Sequence, residues 1–490
     1  MDGSGSPPVL LPADVKVVNV GLPLFGDAIR DQGAQAVDVD WRIPAGGRPD
    51  LVAALTWLAG PAHNLVQAAN DEVVRRLNAA VPQLTGIARC GDVVPGIGPR
   101  TLLHCGPALA WPDVSDPLRR SISAAVVAEG WARSVEHVPH LIESGEVELA
   151  SANAHDTVLP MATAIGPGAP VLVVDNEPAG TRAFSAVNQG PGRAAWLGVN
   201  SAEAVERLVT VREVVAPVLA QALAAAGPID LFGLVAQGLQ MGDEVHMRSQ
   251  ATTNLLWRNL LPHLVEVDSP VLAEAARILS ANHLFFLNVA MAGAKSTLMA
   301  AYDVPGSSVV VGMSRNATTF GVRLAGTGDE EFVAAAPQVG NALYHPGFGA
   351  QDAAPDIGDS ALLELVGLGG AAAAASPAVA AFLGGSVQDA VATSAQMEMI
   401  CVGRSSQFTL PLLDHRGSPL GVDACAVVET ETTPAINTGI LHATDGSGQI
   451  GAGVARAPME CFEAAVRRLA AVLSPVPVPR EAESPGHAQK

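Results

Sequence analysis

Two arginines stand where they could bind a small anion. Arg315 follows a β-branched run and lies between Ser314 and Asn316, so a guanidinium is placed beside hydroxyl and amide donors. Such a group can hold a carboxylate or a phosphate through two parallel hydrogen bonds. Arg323 follows on the next predicted strand, FGVRLAG. The alternative role for these arginines is a structural ion pair with an acid of a neighbouring domain.

Lys295 is a rare residue type here, because the chain contains only three lysines. Its surroundings, residues 284–302, are otherwise uncharged and predict a buried helix. A lysine in such a helix must reach water along its stem, pair with an acid or act on a substrate anion. Lys295 is therefore either a helix-end lysine that reaches solvent or a catalytic residue.

The tightest polar cluster in the sequence is the run GDEVHMR. We place it in a helical region, where Glu244 and Arg248 would form an i,i+4 pair. Alternatively, His246 forms a general base with His283 and Asn282 as its orienting partners, and Glu244 is a further catalytic residue. The spacing Asp-Glu-x-His matches no standard set of metal ligands, so no metal site is predicted here.

Three acids, Asp352, Asp356 and Asp359, punctuate the Gly- and Pro-rich run AQDAAPDIGDS. Acidic loops with this spacing can hold Mg²⁺ through oxygen ligands. More often they cap the next helix, and Asp359 or Ser360 fits that N-cap position. We expect helix capping here.

The run GSGQIGAG contains the spacing GxGxxG after an apolar strand. Too few residues follow it for a βαβ unit, so a dinucleotide site is not expected. The backbone N–H groups of Gly448 and Gly451 could still bind an anion, with Asn437 and Thr438 close in sequence.

The charge balance excludes some classes of partner. The 490 residues include 48 acids and 28 Lys or Arg, which gives a formal net charge of -20. Such a surface repels nucleic acid and anionic lipid, and a small anionic substrate would need a locally cationic pocket. Only 4% of residues are aromatic. A core of Val, Leu, Ile and Ala is typical of α/β proteins.

The cysteines and the N-terminus indicate a cytoplasmic protein. The five cysteines are scattered and form no CxxC pair, which favours a reducing compartment and no structural zinc. The first residues, MDGSGSPPVL, do not resemble a signal peptide. The apolar stretches 284–302 and 361–385 contain polar, Gly or Pro residues, so we expect buried helices and no membrane span.

The order of predicted elements indicates an α/β fold. A strand at 15–20, a helix at 25–32 and a strand at 36–39 form a βαβ opening, which needs a right-handed parallel crossover. We therefore predict a Rossmann-like N-terminal domain followed by mixed α/β domains with a helical segment. The predicted divisions are a disordered N-terminus (1–13), the Rossmann-like domain (14–110), an α/β domain (111–228), the helical segment (229–305), a C-terminal α/β domain (306–473) and a disordered tail (474–490).

Several long blocks resemble one known family. They are NVGLPLFGDAIRDQGAQAVDVDWRIPAGG, RTLLHCGPALAW, VDNEPAGTRAFSAVNQGPG, QGLQMGDEVHMRSQATTNLL, NHLFFLNVAMAGAKSTL, MSRNATTFGVRLAGTGD, HPGFGAQDAAPDIGDSALLELVGLGG and PAINTGILHATDGSGQIGAGVARAPMECF. They follow the family's order over about residues 15–470. On these blocks the chain resembles the AllG/YlbE family of oxamate carbamoyltransferase components.

The resemblance implies one subunit of a three-component enzyme. Its partners would be an FdrA-like protein, related to the CoA-binding succinyl-CoA synthetases, and a third family-associated subunit, so the assembly would be oligomeric. The reaction would convert oxalurate and phosphate to oxamate and carbamoyl phosphate. Its tetrahedral oxyanion needs aligned donors, cations and a general base. No cofactor is predicted.

Two alternatives remain, and one departure bears on them. The chain could be a non-catalytic or acyl-transfer subunit of an FdrA-type complex with another substrate, or a metal-dependent amide hydrolase built around His246 and His283. The Ser-x-Arg-Thr-Arg loop of the usual transcarbamoylases is absent. Where family members tend to carry several histidines, this chain reads SANAHDTVLPMA and retains only His155.

Overall fold

The computed structural model describes residues 16–39 and 43–474. The termini expected to be disordered, 1–13 and 474–490 apart from Ser474, lie outside the described residues. The strands are β1 (Lys16–Val20), β2 (Gln35–Val39), β3 (Pro82–Arg89), β4 (Thr101–His104), β5 (Glu148–Ser151), β6 (Thr157–Val158), β7 (Ala164–Ile165), β8 (Pro170–Asn176), β9 (Thr181–Ala186), β10 (Ile229–Asp230), β11 (Val310–Asn316), β12 (Thr319–Leu324), β13 (Glu331–Ala335), β14 (Gly340–Tyr344), β15 (Ile357–Gly358), β16 (Cys401–Leu410), β17 (Arg416–Val422), β18 (Ala435–Leu441) and β19 (Gln449–Arg456).

Helices connect most of these strands, and short 3-10 turns lie between them. The α-helices are α1 (Pro23–Asp31), α2 (Pro49–Ala59), α3 (His63–Asn78), α4 (Cys90–Val93), α5 (Asp116–Ala128), α6 (Val138–Glu143), α7 (Ala202–Thr210), α8 (Ala216–Ala226), α9 (Leu231–Gln240), α10 (Gln250–Leu264), α11 (Leu272–Ala281), α12 (Phe285–Met299), α13 (Leu362–Leu365), α14 (Pro377–Phe382), α15 (Val387–Met399), α16 (Ala424–Thr430) and α17 (Met459–Leu473). The architecture is therefore mixed α/β.

The opening βαβ unit is present, but a Rossmann-like N-terminal domain is not confirmed. Strands β1 and β2 run parallel, as predicted, and form a two-stranded sheet by themselves. The next strands join other sheets: β3 pairs antiparallel with β8, and β4 lies between β5 and β7. The prediction failed because hydrophobic periodicity identifies a strand without identifying its neighbours.

The β1–β2 unit leaves much of its apolar surface open. Val18 is 66% exposed, Leu24 69%, Phe25 59% and Val37 64%. Parallel sheets are normally covered on both faces, so this unit lacks the cover that its sequence pattern requires.

A five-stranded sheet in the order β10-β3-β8-β9-β6 supports the longest buried helix. Helix α12 packs on β8 and β9, and its residues from Phe285 to Leu298 are all buried. The predicted buried helix over 284–302 is confirmed, and it carries Lys295 into the interior. The side chain of Lys295 is only 3% exposed.

Two antiparallel sheets form the C-terminal part of the chain. Their orders are β13-β12-β11-β15 and β14-β19-β18. They meet where Arg315 of β11 reaches Thr438 of β18. One apolar core extends from Ala45 to Ala470 and links these sheets to the five-stranded sheet.

Among the described residues, one helical stretch, 202–226, is long and apolar enough to cross a membrane. In the structure α8 packs against α10 and β3. Pro217 lies at the start of α8, after a π-helical turn at Val211–Val215. Because a proline ring clashes with the carbonyl four residues earlier, a wider turn before it relieves that clash.

Candidate functional site

The run GDEVHMR forms a loop, so its predicted helical placement was wrong. Helix α9 ends at Gln240 and α10 begins at Gln250. The Glu244 carboxylate accepts the backbone N–H groups of His246, Met247 and Arg248 at 3.2, 2.5 and 2.6 Å, replacing helical carbonyl acceptors. The Arg248 side chain donates to Asp243 at 3.3 Å, so the expected ion pair with Glu244 is absent.

His246 pairs with an acid that sequence reasoning missed. Its Nδ1 lies 2.7 Å from Glu364 Oε1, and both side chains are buried. The predicted partners lie elsewhere: His283 is exposed, and the Asn282 amide donates to Asn188. The available signal for Glu364 was a single acid inside the apolar run ALLELVGLGG.

Asn437 completes this group, which we call the acid–histidine cluster (Glu244, His246, Glu364 and Asn437). The Asn437 side-chain amide donates to Glu244 at 2.9 Å, and its backbone N–H donates to Glu364 at 3.2 Å. Burial raises the pKa of Glu244. In the described residues Glu364 Oε2 is buried with no hydrogen-bond partner. Two buried carboxylates beside one imidazole form a group that can store and pass a proton.

Arg315 is closed off from solvent. Its Nε donates to Asp356 at 2.7 Å, one terminal nitrogen donates to the Gly358 carbonyl at 2.8 Å, and the other lies 3.4 Å from Thr438 Oγ1. The Thr438 hydroxyl donates to Asp356 at 2.8 Å. The donors of Arg315 are thus occupied by protein groups, which matches its structural alternative. Substrate binding by Arg315 or Thr438 stays a prediction.

Asn316 shapes the turn that follows β11. Its amide donates to the Pro107 carbonyl at 2.9 Å, and its oxygen accepts the N–H groups of Thr318 and Thr319 at 3.0 and 2.7 Å. Its predicted role in anion binding is untested, and the contacts seen here are structural.

Asp359 does not cap a helix, so that expectation was wrong. Its carboxylate accepts the backbone N–H groups of Gly106 and Leu159, each at 2.8 Å, and joins distant segments of the chain. Burial raises its pKa to about 6, against the opposing effects of those N–H groups and of Arg315 and Lys295. A carboxyl group with this pKa can exchange a proton near neutral pH.

Lys295 lies in a cationic group with no acid at ion-pair distance from its ammonium in the described residues. Its Nζ donates to the Tyr302 hydroxyl at 3.0 Å and to the Asn153 carbonyl at 3.2 Å. The Arg323 guanidinium stacks 3.9 Å from the Tyr302 ring centre and pairs with the exposed Asp329 at 2.8 Å. We call Lys295, Tyr302, Arg323 and Asn153 the lysine cluster.

Ser314 joins the lysine cluster through Glu331. The Ser314 hydroxyl donates to Glu331 at 3.1 Å. Burial raises the pKa of Glu331, and the nearby charges of Lys295 and Arg323 oppose that rise. Because successive side chains of a strand point to opposite faces of the sheet, Ser314 and its neighbour Arg315 lie on opposite sides of β11.

The Gly-rich run does not form the expected anion-binding loop. Strand β19 begins at Gln449, and Gly451 pairs with both Tyr344 and Ile440 in the middle of its sheet. Gly448 precedes the strand, and its carbonyl accepts the His442 N–H at 2.9 Å. The pattern GxGxxG here reflects close strand packing, since a Cβ at Gly451 would lie 2.5 Å from the Leu343 carbonyl.

Metal ligands are not assembled within residues 16–39 and 43–474. No group of three or more His, Cys, Asp or Glu side chains there could hold a metal ion. Asp352 accepts the Gly349 N–H at 2.9 Å in a local cap, and Asp356 is taken by Arg315.

These sheets and buried polar clusters define a mixed α/β protein, and comparisons with known proteins identify its family. The family model described as oxamate carbamoyltransferase subunit AllG matches residues 147–360. The Escherichia coli K12 protein named oxamate carbamoyltransferase subunit AllG is 38% identical over 412 residues, which cover 83% of this chain and 98% of that protein. The chain belongs to the AllG family.

Two further proteins are similar over most of their length. The uncharacterized protein YahG of Escherichia coli K12 is 33% identical over 455 residues, 92% of this chain and 96% of YahG. A crystal structure of a conserved protein of unknown function from Enterococcus faecalis V583 matches with a TM-score of 0.81 and 34% identity. It covers 84% of this chain and 98% of that one.

We expect Arg315 and Asp356 to be strongly coupled in stability. Removing either partner leaves the other charge buried, so Arg315→Met or Asp356→Leu should each lower the free energy of unfolding by about 3–5 kcal/mol. The free energy of unfolding of the double variant, measured with urea, should be no lower than that of the less stable single variant. The exposed pair of Arg468 and Glu330 is the control, and Arg468→Met should cost under about 1 kcal/mol. Additive losses at Arg315 and Asp356 would contradict this coupling.

Asp359 should make the protein less stable as pH rises. Its pKa of about 6 in the folded state exceeds its ordinary value of 3.8, so the folded state holds the proton more tightly. Stability is therefore greatest below about pH 4 and is lost up to about pH 6, by about 3 kcal/mol in total. Urea unfolding across this range should show the loss in the parent protein relative to Asp359→Asn. The matched Asp175→Asn comparison should show no such loss between about pH 4 and about pH 6, because Arg182 and Thr85 lower the pKa of Asp175 despite its partial burial, so its contribution falls only as pH drops below about 4. A pH-independent difference for Asp359 would contradict the assignment.

Proposed function

We propose that this chain is a subunit of an oxamate carbamoyltransferase-like enzyme. The observation that carries the proposal is its 38% identity to the AllG subunit over 98% of that subunit's length. The proposed reaction converts oxalurate and phosphate to oxamate and carbamoyl phosphate. An FdrA-like subunit and a third subunit in the cytoplasm belong to the same proposal, as do the predicted domain bounds.

The lysine cluster is the part of the structure that best supports an anionic substrate. The buried ammonium of Lys295 hydrogen-bonds only to neutral acceptors, and the acids that its charge affects, Glu331 and Asp359, make no ion pair with it. A buried charge normally requires such a direct partner. Two more donors of this cluster, Asn153 Nδ2 and Arg323 Nε, are buried without a partner in the described residues. A bound carboxylate or phosphate would satisfy all three groups, so we assign anion binding to Lys295 and Arg323.

The acid–histidine cluster supplies the proton chemistry in this proposal. His246 accepts or returns a proton, and Glu364 orients its ring. Glu244, with its raised pKa, holds a proton near neutral pH more readily than an exposed glutamate does. We assign Arg315 a positioning role, because each of its three nitrogens donates to a protein group and it holds β11 beside β18.

The departure at SANAHDTVLPMA falls at the lysine cluster. Asn153 lies within that run and its carbonyl accepts from Lys295. A change of residue types at this position would alter the groups around a bound anion, so the substrate could differ within the family.

A second candidate is an acyl-transfer or non-catalytic subunit with another substrate. The chain is similar to YahG over 96% of that protein's length as well as to the AllG subunit, so its likeness is not confined to the relative whose name gives a reaction. The metal-dependent hydrolase alternative gains no support from the described residues, which assemble no ligand group for a metal.

Reconstitution tests the proposed function. The chain mixed with an FdrA-like subunit and the third subunit should form carbamoyl phosphate from oxalurate and phosphate, measured by coupling to a carbamate kinase. Each component omitted in turn is the control, and this chain alone should be inactive. Full activity without this chain, or none with all three, would overturn the proposal.

Lys295→Met should remove activity without unfolding the protein. Methionine fills a similar volume and removes a buried charge that makes no direct ion pair, so the melting temperature should change little. The kcat/KM of the reconstituted enzyme should fall at least about tenfold, since a charge-assisted contact is worth about 1.5–3 kcal/mol.

Arg277→Met is the control for Lys295, because it removes one exposed positive charge from α11. It should change neither measurement. Normal kinetics in a destabilised Lys295→Met protein would instead assign this lysine a purely structural role.

A further inference from the structure

A cavity of about 520 Å³ lies beside the acid–histidine cluster. Helices α14 and α15 form one wall, and strands β14, β18 and β19 form the other. Its polar lining residues are Asn341, Ser376, Asp389, Thr393, Gln396, Asn437 and Arg456, and the rest are Ala, Gly, Val or Leu. Small side chains on the helical wall leave space for a small ligand.

Arg456 places a cation in this cavity without a matching acid. Its guanidinium donates to the Thr433 carbonyl at 2.9 Å and to Gln396 Oε1 at 2.7 Å, and both acceptors are neutral. Partial burial lowers its pKa, no nearby carboxylate opposes that effect, and part of the side chain stays open to solvent. Asp389 also lines the cavity, but its carboxylate is taken by the cap of α15, where it accepts the Ser386 N–H and hydroxyl at 2.7 Å each.

Other polar groups of the wall are also unpaired. Ser376 is 1% exposed, and its hydroxyl has no hydrogen-bond partner in the described residues. The Asn437 amide donates to Glu244, and the Gln396 oxygen accepts from Arg456. Within the described part of the chain, Asn437 Oδ1 and Gln396 Nε2 make no hydrogen bond. Of these groups the Ser376 hydroxyl is buried, whereas the Gln396 side chain is exposed. Because buried polar groups are normally satisfied, the unpaired Ser376 hydroxyl gives this wall the character of a binding site.

We propose that this cavity binds a small planar carboxylate with an N–H group next to it. The guanidinium of Arg456 matches the two oxygens of a carboxylate, and Ser376 and Gln396 offer further donors. Asn437 Oδ1 is an acceptor for the N–H of the ligand. The site deepens the proposed function, on which its choice of substrate class rests, because Asn437 links the ligand directly to Glu244.

Direct binding tests the site separately from the reaction. Calorimetric titration of the full chain with oxamate should show binding, and inorganic phosphate should bind more weakly. Arg456→Met should weaken oxamate binding at least about tenfold, the loss expected for one charge-assisted hydrogen bond of about 1.5 kcal/mol or more. Arg416→Met removes an exposed arginine from β17 and should leave the affinity unchanged.

A second variant distinguishes the loss of a binding contact from misfolding. Ala380→Phe places a ring in the cavity and keeps every charge, so it should abolish oxamate binding while circular dichroism stays unchanged. Equal oxamate affinity in Arg456→Met and the parent protein would overturn the site, as would tighter binding of phosphate than of oxamate. Retained oxamate binding in a reconstituted enzyme without carbamoyl transfer would support the site and reject the proposed function.

Discussion

Arg315 has no exposed surface, so its charge is held only by the groups that meet it. Those groups belong to three residues: Asp356 and Gly358 in the segment before α13, and Thr438 on β18. The ion pair therefore fixes β18 against β11. Because neighbouring side chains of a strand point to opposite faces, Thr438 at the ion pair turns Asn437 toward Glu244 and the cavity. The acid–histidine cluster thus depends on this buried interaction for the position of Asn437.

The interior of this protein concentrates ionisable groups that an acidic chain would be expected to keep outside. Glu244, Glu364 and Asp359 are fully buried, and each is held by backbone N–H groups or by an amide. Hydrogen bonds of that kind compensate for lost hydration only in one geometry. Such clusters make the fold specific at some cost in stability, and they place groups with altered proton affinity beside the space available to a ligand.

The sequence predicted local elements better than their partners. The βαβ opening, the buried helix around Lys295 and the strand ending in Asn316 follow from periodicity and residue type within a short window. The pairing of His246 with Glu364 joins residues 118 positions apart, and no local pattern specifies it. Asp359 fits a helix cap by sequence, yet backbone N–H groups from two distant segments compete successfully for its oxygens. At His246 and Asp359 the hydrogen-bond partners come from distant segments that meet only when the sheets have assembled.

The open faces of the β1–β2 unit have a consequence for how the protein behaves in solution. A two-stranded sheet with exposed Val18, Leu24 and Val37 buries too little apolar surface to be stable by itself. The fraction of molecules in which the β1–β2 unit is folded should then rise with the concentration of a partner that binds its apolar faces, because binding stabilises the folded form. Amide hydrogens of β1 and β2 would exchange much faster than those of β11 in dilute protein, and the difference would narrow as an assembly forms.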